Sequence, residues 1–223
     1  RAQEADVRTF MLRQETTIWR QHGGNISVGK SLKDLKLLRI FKKSLQRRAL
    51  RKIKPLPLLP LGAESASGFH EGLLVSVVVP VQNGARFLRA ALRSVLDQTY
   101  RPLELIVVDD GSDDESGDIA RSIPQVSYHC QAKGGAARAR NAGIELARGR
   151  FIAFLDADDL WTPNKLRLQT AFHMNHPDIG YSLTGEKLFL ERGLLKPEWL
   201  KTEMFMNPHP SYVPSAWMVN KNV

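Results

Sequence analysis

The chain has 223 residues, of which 43% are hydrophobic, enough for one domain of ordinary size with an appendage but not for two full domains. Its net charge of +9 comes from the N-terminal part, because residues 1–70 carry 15 Lys and Arg against 5 Asp and Glu, whereas residues 71–223 carry 17 against 18. A nucleic-acid-binding domain would carry its basic residues on the folded part, so this distribution excludes nucleic acid as the partner.

Cysteine content and hydropathy narrow the class of protein further. The single cysteine, Cys130, excludes an intramolecular disulfide and favours a reducing compartment. We expect its thiol to lie in the core. The sequence contains no run of 18 apolar residues, the length that could span a bilayer. We therefore expect a cytoplasmic location.

Residues 1–54 form a basic N-terminal segment that is predicted to be helical over residues 31–54. The apolar residues of one face recur at three- and four-residue steps: Leu35, Leu38, Phe41 and Leu45. Two interpretations stay open. The helix either lies on anionic lipid at the inner membrane face, or packs on a neighbouring domain with its basic side solvated.

After a Pro-rich and then small, polar linker at residues 55–70, strands alternate with helices through residues 71–223. Buried strands are predicted over residues 74–79, 103–108, 126–130, 151–155 and 179–183. Helices are predicted after the Asn83-Gly84 turn, from a capping box of Ser112 and Glu115, and over residues 134–148. This alternation predicts an α/β fold, with a mostly parallel sheet flanked by helices.

Two acidic clusters directly follow predicted strands of this sheet. Asp109 and Asp110 follow the second strand, and Asp156, Asp158 and Asp159 follow the fourth. Ligands of such sheets bind at the carboxyl ends of the strands, so we expect the five carboxylates to converge. Close like charges repel unless a cation neutralises them, and oxygen ligands suit Mg²⁺ or Mn²⁺.

A basic, glycine-rich helix start follows the third predicted strand. Gly134 and Gly135 begin the helix, flanked by Lys133, Arg138 and Arg140. Backbone N–H groups at a helix N-terminus favour an anion. Together with a cation-binding acidic cluster, this helix start predicts a site for a diphosphate.

Four sequence blocks, in this order and spacing, resemble family 2 glycosyltransferases of the GT-A fold. The blocks are VSVVVPVQNGARFL, QTYRPLELIVVDDGSDD, QAKGGAARARNAGIELARGRFIAFLDADDLW and PSAWMVNKNV. The resemblance implies a Rossmann-like GT-A domain over residues 71–223 and a nucleotide-diphosphate sugar donor, a UDP-sugar first. It also implies Mn²⁺ or Mg²⁺ as cofactor and transfer with inversion to a glycan or lipid-linked acceptor, in cell wall, polysaccharide or glycoconjugate biosynthesis.

The resemblance further implies roles for matching positions. Asp110 resembles the acid that binds the nucleotide base, and Arg140 the basic residue near base and diphosphate. Asp156 and Asp158 resemble the DxD pair, with Asp159 as an additional metal ligand. The implied donor-binding residues are Pro80, Val81, Gln82, Asn83, Asp109, Asp110, Gly135, Arg138, Arg140, Asn141, Asp156, Ala157 and Asp158.

The sequence departs from the family pattern at three points. Gln82 stands where many relatives place an aromatic residue beside the base, and Lys133 stands where relatives often carry Asn. The catalytic base of the family lies on a later element. We therefore expect the base beyond Val223 and the domain to be truncated at its C-terminus.

Other functions are weighed against sugar transfer. The chain could be a donor-binding fragment or an inactive glycosyltransferase-like module without a base. A sugar-nucleotide pyrophosphorylase would need a basic Gly-rich loop after the first strand, which VQNGARFL does not resemble. A receiver-like signalling domain would leave Arg138 and Arg140 unexplained. Finally, His173 and His176 are expected on a solvated helix face rather than as a metal pair, and Trp217 and Met218 in the core.

Overall fold

The computed structural model describes residues 8–21, 58–59, 72–190, 209–210 and 213–221. Strands in this part of the chain are β1 Arg8–Gln21, β2 Leu58–Leu59, β3 Val75–Val81, β4 Leu103–Asp109, β5 Val126–Cys130, β6 Phe151–Phe154, β7 Leu160–Trp161, β8 Ile179–Leu190, β9 His209–Pro210 and β10 Trp217–Asn220. Helices are α1 Ala85–Leu96, α2 Ser116–Arg121, α3 Ala136–Leu146 and α4 Lys165–Asn175, with a short 3₁₀ helix at Pro214–Ala216.

The strands form one mixed, mostly parallel sheet, which confirms the predicted fold class. Its main order is β2-β1-β8-β10-β6-β3-β4-β5, with β7 paired to β1 and β9 paired to β8. Strands β6, β3, β4 and β5 run parallel, whereas β10 is antiparallel to both neighbours. The chain adds β4 and β5 on one side of β3 and then returns to add β6 on the other. This reversal makes the carboxyl end of β3 a topological switch point, where open α/β sheets bind ligands.

The sheet is buried on both faces, as the continuous apolar runs predict. All seven residues of β3 are buried. Helix α1 covers one face with the buried residues Phe87, Leu88, Ala91, Leu92 and Val95, and α3 covers the other. Trp217 and Met218 are buried, as expected. No helix among the described residues is long and apolar enough to cross a membrane.

Within the predicted N-terminal segment, the structure describes one strand, which lies outside the predicted helix. Residues Arg8–Gln21 form strand β1, which pairs in parallel with β8 and with β2 inside the predicted linker. The predicted helix at residues 31–54 lies outside the described residues, so its contact with anionic lipid stays a prediction. The boundaries at residues 54 and 70 also stay predictions.

Two local predictions are wrong. Helix α2 begins at Ser116 rather than at a Ser112 capping box, because Asp114 Oδ1 accepts the Ser116 N–H at 2.9 Å. Ser112 Oγ instead accepts the backbone N–H of Asn83. The Cys130 thiol is exposed rather than in the core, because β5 is the last strand at one edge of the sheet.

Helix α4 buries a polar face, although its sequence pattern suggests a solvated one. Lys165, Gln169 and His173 recur at four-residue steps, and all three are buried. Lys165 Nζ donates to Gln169 Oε1, Gln169 Nε2 donates to Ser182 Oγ, and that hydroxyl bonds His173 Nε2 at 3.0 Å. Burial lowers the pKa of Lys165 well below its ordinary 10.5, and lowers the pKa of His173 to about 4. The expectation of a solvated His173 is therefore wrong.

The buried amine of Lys165 predicts a pH-dependent stability. Because burial lowers the pKa of Lys165 in the folded state, the folded protein binds this proton less readily than the unfolded chain, which binds it up to the ordinary pKa of 10.5, so stability rises with pH toward that value. Relative to Lys165→Met, we expect the wild-type free energy of unfolding to rise by up to about 1.4 kcal/mol per pH unit as the pH approaches 10.5 from below. Urea denaturation at several pH values measures it.

The control is Gln169→Met, which removes the same hydrogen bond and keeps the amine. Its stability difference from wild type should be nearly constant over this pH range. A constant difference for Lys165→Met as well would show that Lys165 is protonated in the folded protein.

Close packing of α3 on the sheet gives a second prediction. A Cβ at Gly143 would lie 2.2 Å from Val78 Cγ1 in β3. Alanine is the better helix former by about 1 kcal/mol. We nevertheless expect Gly143→Ala to lower the free energy of unfolding by about 1–3 kcal/mol through overpacking, measured by urea denaturation. Glu145→Ala, at an exposed position of the same helix, should stay within about 0.5 kcal/mol. Unchanged or higher stability of Gly143→Ala would contradict the close approach.

Candidate functional site

Asp110 joins the end of β4 to the start of α3. Its Oδ1 accepts the Gly134 N–H at 2.9 Å and Gln131 Nε2 at 2.7 Å, and its Oδ2 accepts the Gly135 N–H at 2.6 Å. The residue is 2% exposed. The N–H groups of Gly134 and Gly135, just before α3, are therefore bonded to the chain's own carboxylate, and the predicted diphosphate site at this helix start stays a prediction. Gly135 is needed here because its φ is +90°.

Arg140 joins the same helix to the second acidic cluster. Its guanidinium forms an ion pair with Asp156 Oδ1, and the residue is 7% exposed. The absence of a side chain at Gly143 lets α3 lie close enough to β3 for this contact. Helix α3 is thus bonded to Asp110 at its amino end and to Asp156 along its length. Both acidic clusters lie at the carboxyl ends of parallel strands that flank β3, as expected.

The second acidic cluster forms a tight loop after β6. The Asp159 N–H donates to the Asp156 carbonyl at 3.0 Å. Asp156 and Asp158 are half-buried, whereas Asp159 is 1% exposed and its Oδ2 accepts the Ser215 hydroxyl at 2.5 Å. A cation in the crevice would reach Asp156 and Asp158 first. The assignment of Asp159 as a direct metal ligand is therefore not supported.

The five predicted carboxylates line one edge of the sheet without forming one cluster. In the part of the chain that the structure describes, no three His, Cys, Asp or Glu side chains lie close enough together to hold a metal ion. Asp109 is 2% exposed, and its two oxygens accept the Ser112 N–H and the Tyr128 hydroxyl, each at 2.8 Å. Burial first, and then this carboxylate, raise the pKa of Tyr128 above its ordinary 10.0. Asp109 shapes the loop rather than facing the crevice.

The loop after β3 lies between the two acidic clusters. Pro80 and Val81 are buried, whereas Gln82 and Asn83 are exposed. Asn83 holds a φ of +50°, its N–H donates to Ser112 Oγ at 3.0 Å, and its Oδ1 accepts the Asp113 N–H at 2.9 Å. A positive φ at a non-glycine residue is a strained conformation that surrounding bonds must fix. Of the predicted donor residues here, Gln82 and Asn83 are the two that solvent reaches freely.

The same loop also contacts the second acidic cluster. A Cβ at Gly84 would lie 3.4 Å from the Ala157 Cβ. The Gly84 N–H donates to Ser116 Oγ at 2.9 Å. The loop after β3 therefore completes a continuous rim from Asp110 to Asp158.

The basic residues predicted for the site lie beside this rim. Lys133 and Arg138 are exposed, and Asn141 is half-buried. Among the described residues, no heavy atom beyond its chain neighbours lies within 4 Å of where a Cβ of Gly135 would stand.

Gln131 and Ser215 are among the residues that contact the site but that the sequence does not indicate. Gln131 donates to Asp110, and Ser215 bonds both Asp156 and Asp159. Ser215 lies within a block that resembles the family, but no spacing rule ties a serine to a loop 56 positions earlier. Only the register of β10 against β6 brings the two together.

The hydrogen bonds from the Gly134 and Gly135 N–H groups to Asp110 generate a stability prediction. Asp110→Asn replaces an acceptor oxygen with an NH₂ group that faces backbone N–H donors. We expect it to lower the free energy of unfolding by about 1.5–3 kcal/mol and to speed amide exchange at Gly134 and Gly135. Asp113→Asn, at an exposed position of the same loop, is the control. Unchanged exchange in Asp110→Asn would contradict the role of these hydrogen bonds in holding the turn before α3.

Comparison with known proteins identifies relatives of this site. Residues 76–211 match the model of glycosyl transferase family 2. An uncharacterized glycosyltransferase of Rickettsia prowazekii is 39% identical over 121 residues, covering 51% of this chain and 38% of the relative. The putative teichuronic acid biosynthesis glycosyltransferase TuaG of Bacillus subtilis is 38% identical over 125 residues, covering 54% of this chain and 49% of the relative.

The fold is also found among solved structures. The crystal structure of S. aureus TarS 1-349 in complex with UDP-GlcNAc matches with a TM-score of 0.53 and 22% identity, covering 66% of this chain and 45% of that TarS chain. At this identity the match supports the GT-A fold alone. The chain spans 38% and 49% of the two curated relatives. Since the family model matches more than half of the chain, including β3, both acidic clusters and α3, the chain belongs to glycosyl transferase family 2.

Proposed function

We propose that this chain binds a nucleotide-diphosphate sugar, a UDP-sugar, together with Mn²⁺ or Mg²⁺, for transfer of the sugar to an acceptor hydroxyl. The observation that carries the proposal is the double attachment of α3, to Asp110 at its amino end and to Asp156 through Arg140. This attachment keeps two kinds of group together at one edge of the sheet: carboxylates that can bind a cation, and a buried arginine that can bind a phosphate. The family membership supplies the reaction class.

The proposed cation would be held by Asp156 and Asp158. Both are half-buried carboxylates at the crevice, and hard oxygen ligands suit Mg²⁺ and Mn²⁺. Since the described residues offer no third ligand nearby, phosphate oxygens and water would complete the coordination, as is usual for Mg²⁺. When bound, the ion stabilises negative charge on the departing nucleoside diphosphate.

The proposed phosphate contact uses Arg140. Its Nε is a buried donor for which the structure gives no acceptor, although its terminal nitrogen is paired with Asp156. A buried donor without an acceptor is costly, and a phosphate oxygen would satisfy it. Exposed Lys133 and Arg138 raise the local positive potential. Gln82 and Asn83, on the exposed loop after β3, are proposed to face the nucleoside.

We propose that Asp110 also contacts the nucleotide base, through the one lone-pair site of its carboxylate that the protein leaves unused. An ionised carboxylate has about four lone-pair sites, and Asp110 uses three. One base N–H could take the fourth.

The proposed transfer inverts the anomeric carbon. The acceptor oxygen forms a bond to that carbon as the carbon–oxygen bond to the diphosphate breaks, and a base takes the acceptor's proton. We assign the base to none of the described acids. The name of TuaG supports a cell wall polysaccharide as the acceptor class.

Calorimetry with UDP, GDP and dTDP, each with Mn²⁺, tests donor binding. We expect UDP to bind with measurable heat, and its affinity to fall at least tenfold, about 1.4 kcal/mol, on chelation by EDTA. Asp158→Asn should weaken Mn²⁺-dependent UDP binding at least tenfold, about 1.4 kcal/mol, through loss of a charged ligand. Asp118→Asn, an exposed acid on α2, should bind as wild type. A folded wild-type chain that gives no heat with any of the three nucleotides would refute the proposal.

A further inference from the structure

Ser215 holds the second acidic loop at three points. Its hydroxyl accepts the Asp156 N–H at 3.0 Å and donates to Asp159 Oδ2 at 2.5 Å. Its carbonyl accepts the Trp161 Nε1–H at 2.8 Å. Ser215 is 0% exposed. One buried residue therefore bonds the beginning, the middle and the end of the segment from Asp156 to Trp161.

The position of Ser215 is set by the sheet. Strand β10 runs antiparallel to β6, with Met218 opposite Ala153. The 3₁₀ helix just before β10 consequently lies at the carboxyl end of β6, where the acidic loop begins. Ser215 reaches this loop from a part of the chain 54–59 residues later.

These bonds have an electrostatic consequence for the loop. Three aspartates within four positions repel one another, and a loop free to relax would separate their carboxylates. The Ser215 hydroxyl donates a hydrogen bond to the Asp159 carboxylate and so holds it away from solvent. The same hydroxyl accepts the Asp156 N–H and so fixes the backbone at Asp156. Asp156 and Asp158 are left as the half-buried carboxylates of the loop.

We infer that Ser215 is a positioning residue for the metal-binding carboxylates. Its hydroxyl sets the backbone from which Asp156 and Asp158 present their oxygens to the cation, and it does not itself touch cation or donor. This inference rests on the proposed function. It predicts that loss of the hydroxyl weakens metal binding more than it weakens metal-free nucleotide binding.

Ser182 offers a matched control. It is also 0% exposed, and its hydroxyl also makes two hydrogen bonds, in this case to the side chains of Gln169 and His173, each at 3.0 Å. These partners lie on α4 rather than on the acidic loop. Ser182→Ala and Ser215→Ala thus each remove one buried, bonded hydroxyl, and only the second acts on the loop.

The experiment compares wild type, Ser215→Ala, Ser182→Ala and Ser215→Thr, which keeps a hydroxyl. Calorimetry measures UDP affinity with and without Mn²⁺, and NMR measures exchange of the Asp156 amide without ligand. We expect Ser215→Ala to lose at least tenfold in Mn²⁺-dependent affinity, to change less than twofold without Mn²⁺, and to exchange the Asp156 amide faster. Ser182→Ala should bind as wild type, and Ser215→Thr should recover at least part of the loss.

Each contrary result has its own meaning. Wild-type metal affinity in Ser215→Ala overturns the positioning role and leaves the proposed function standing. An equal loss in Ser182→Ala also overturns it, since general destabilisation would then explain both variants. Absence of Mn²⁺-dependent binding in the wild type refutes the proposed function and this inference with it.

Discussion

The site depends on one constraint, the attachment of α3 to both acidic clusters. Asp110 accepts the N–H groups at the amino end of the helix, and Arg140 pairs with Asp156 along its length. A helix N-terminus favours an anion, and a buried arginine needs a partner, so each contact is strongly directional. The two clusters are therefore linked through one helix, an arrangement that favours a site formed before a ligand binds.

The same constraint divides the carboxylates by role. Asp109, Asp110 and Asp159 are buried and accept hydrogen bonds from the protein, so they organise loops. Asp156 and Asp158 stay half-buried. In the proposed function, a cation would compete with Arg140 for Asp156, and a donor phosphate would give Arg140 a new partner. Binding of the metal and binding of the donor should then favour each other, because the cation replaces Arg140 beside Asp156 and the phosphate replaces Asp156 beside Arg140.

The sequence predicts the sheet well and the hydrogen bonds poorly. Continuous apolar runs locate the parallel strands, including β5 at the predicted residues 126–130, and strand ends place both acidic clusters at one edge. The sequence does not show that Asp110 accepts the N–H groups just before α3, because that contact depends on how a loop 25 residues away is placed. The buried polar face of α4 is missed for a related reason. Lys165 and His173 resemble solvated residues until Gln169 and Ser182 are known to contact them.

The central claim is that Asp156 and Asp158 bind a divalent cation against the diphosphate of a sugar nucleotide. Anomalous diffraction at the manganese edge, from crystals grown with UDP and Mn²⁺, tests it most directly. The account predicts one manganese peak at coordination distance from both carboxylates and from diphosphate oxygens, with Asp159 still bonded to Ser215. A diphosphate bound with no manganese beside these aspartates, or manganese bound elsewhere, would contradict the account.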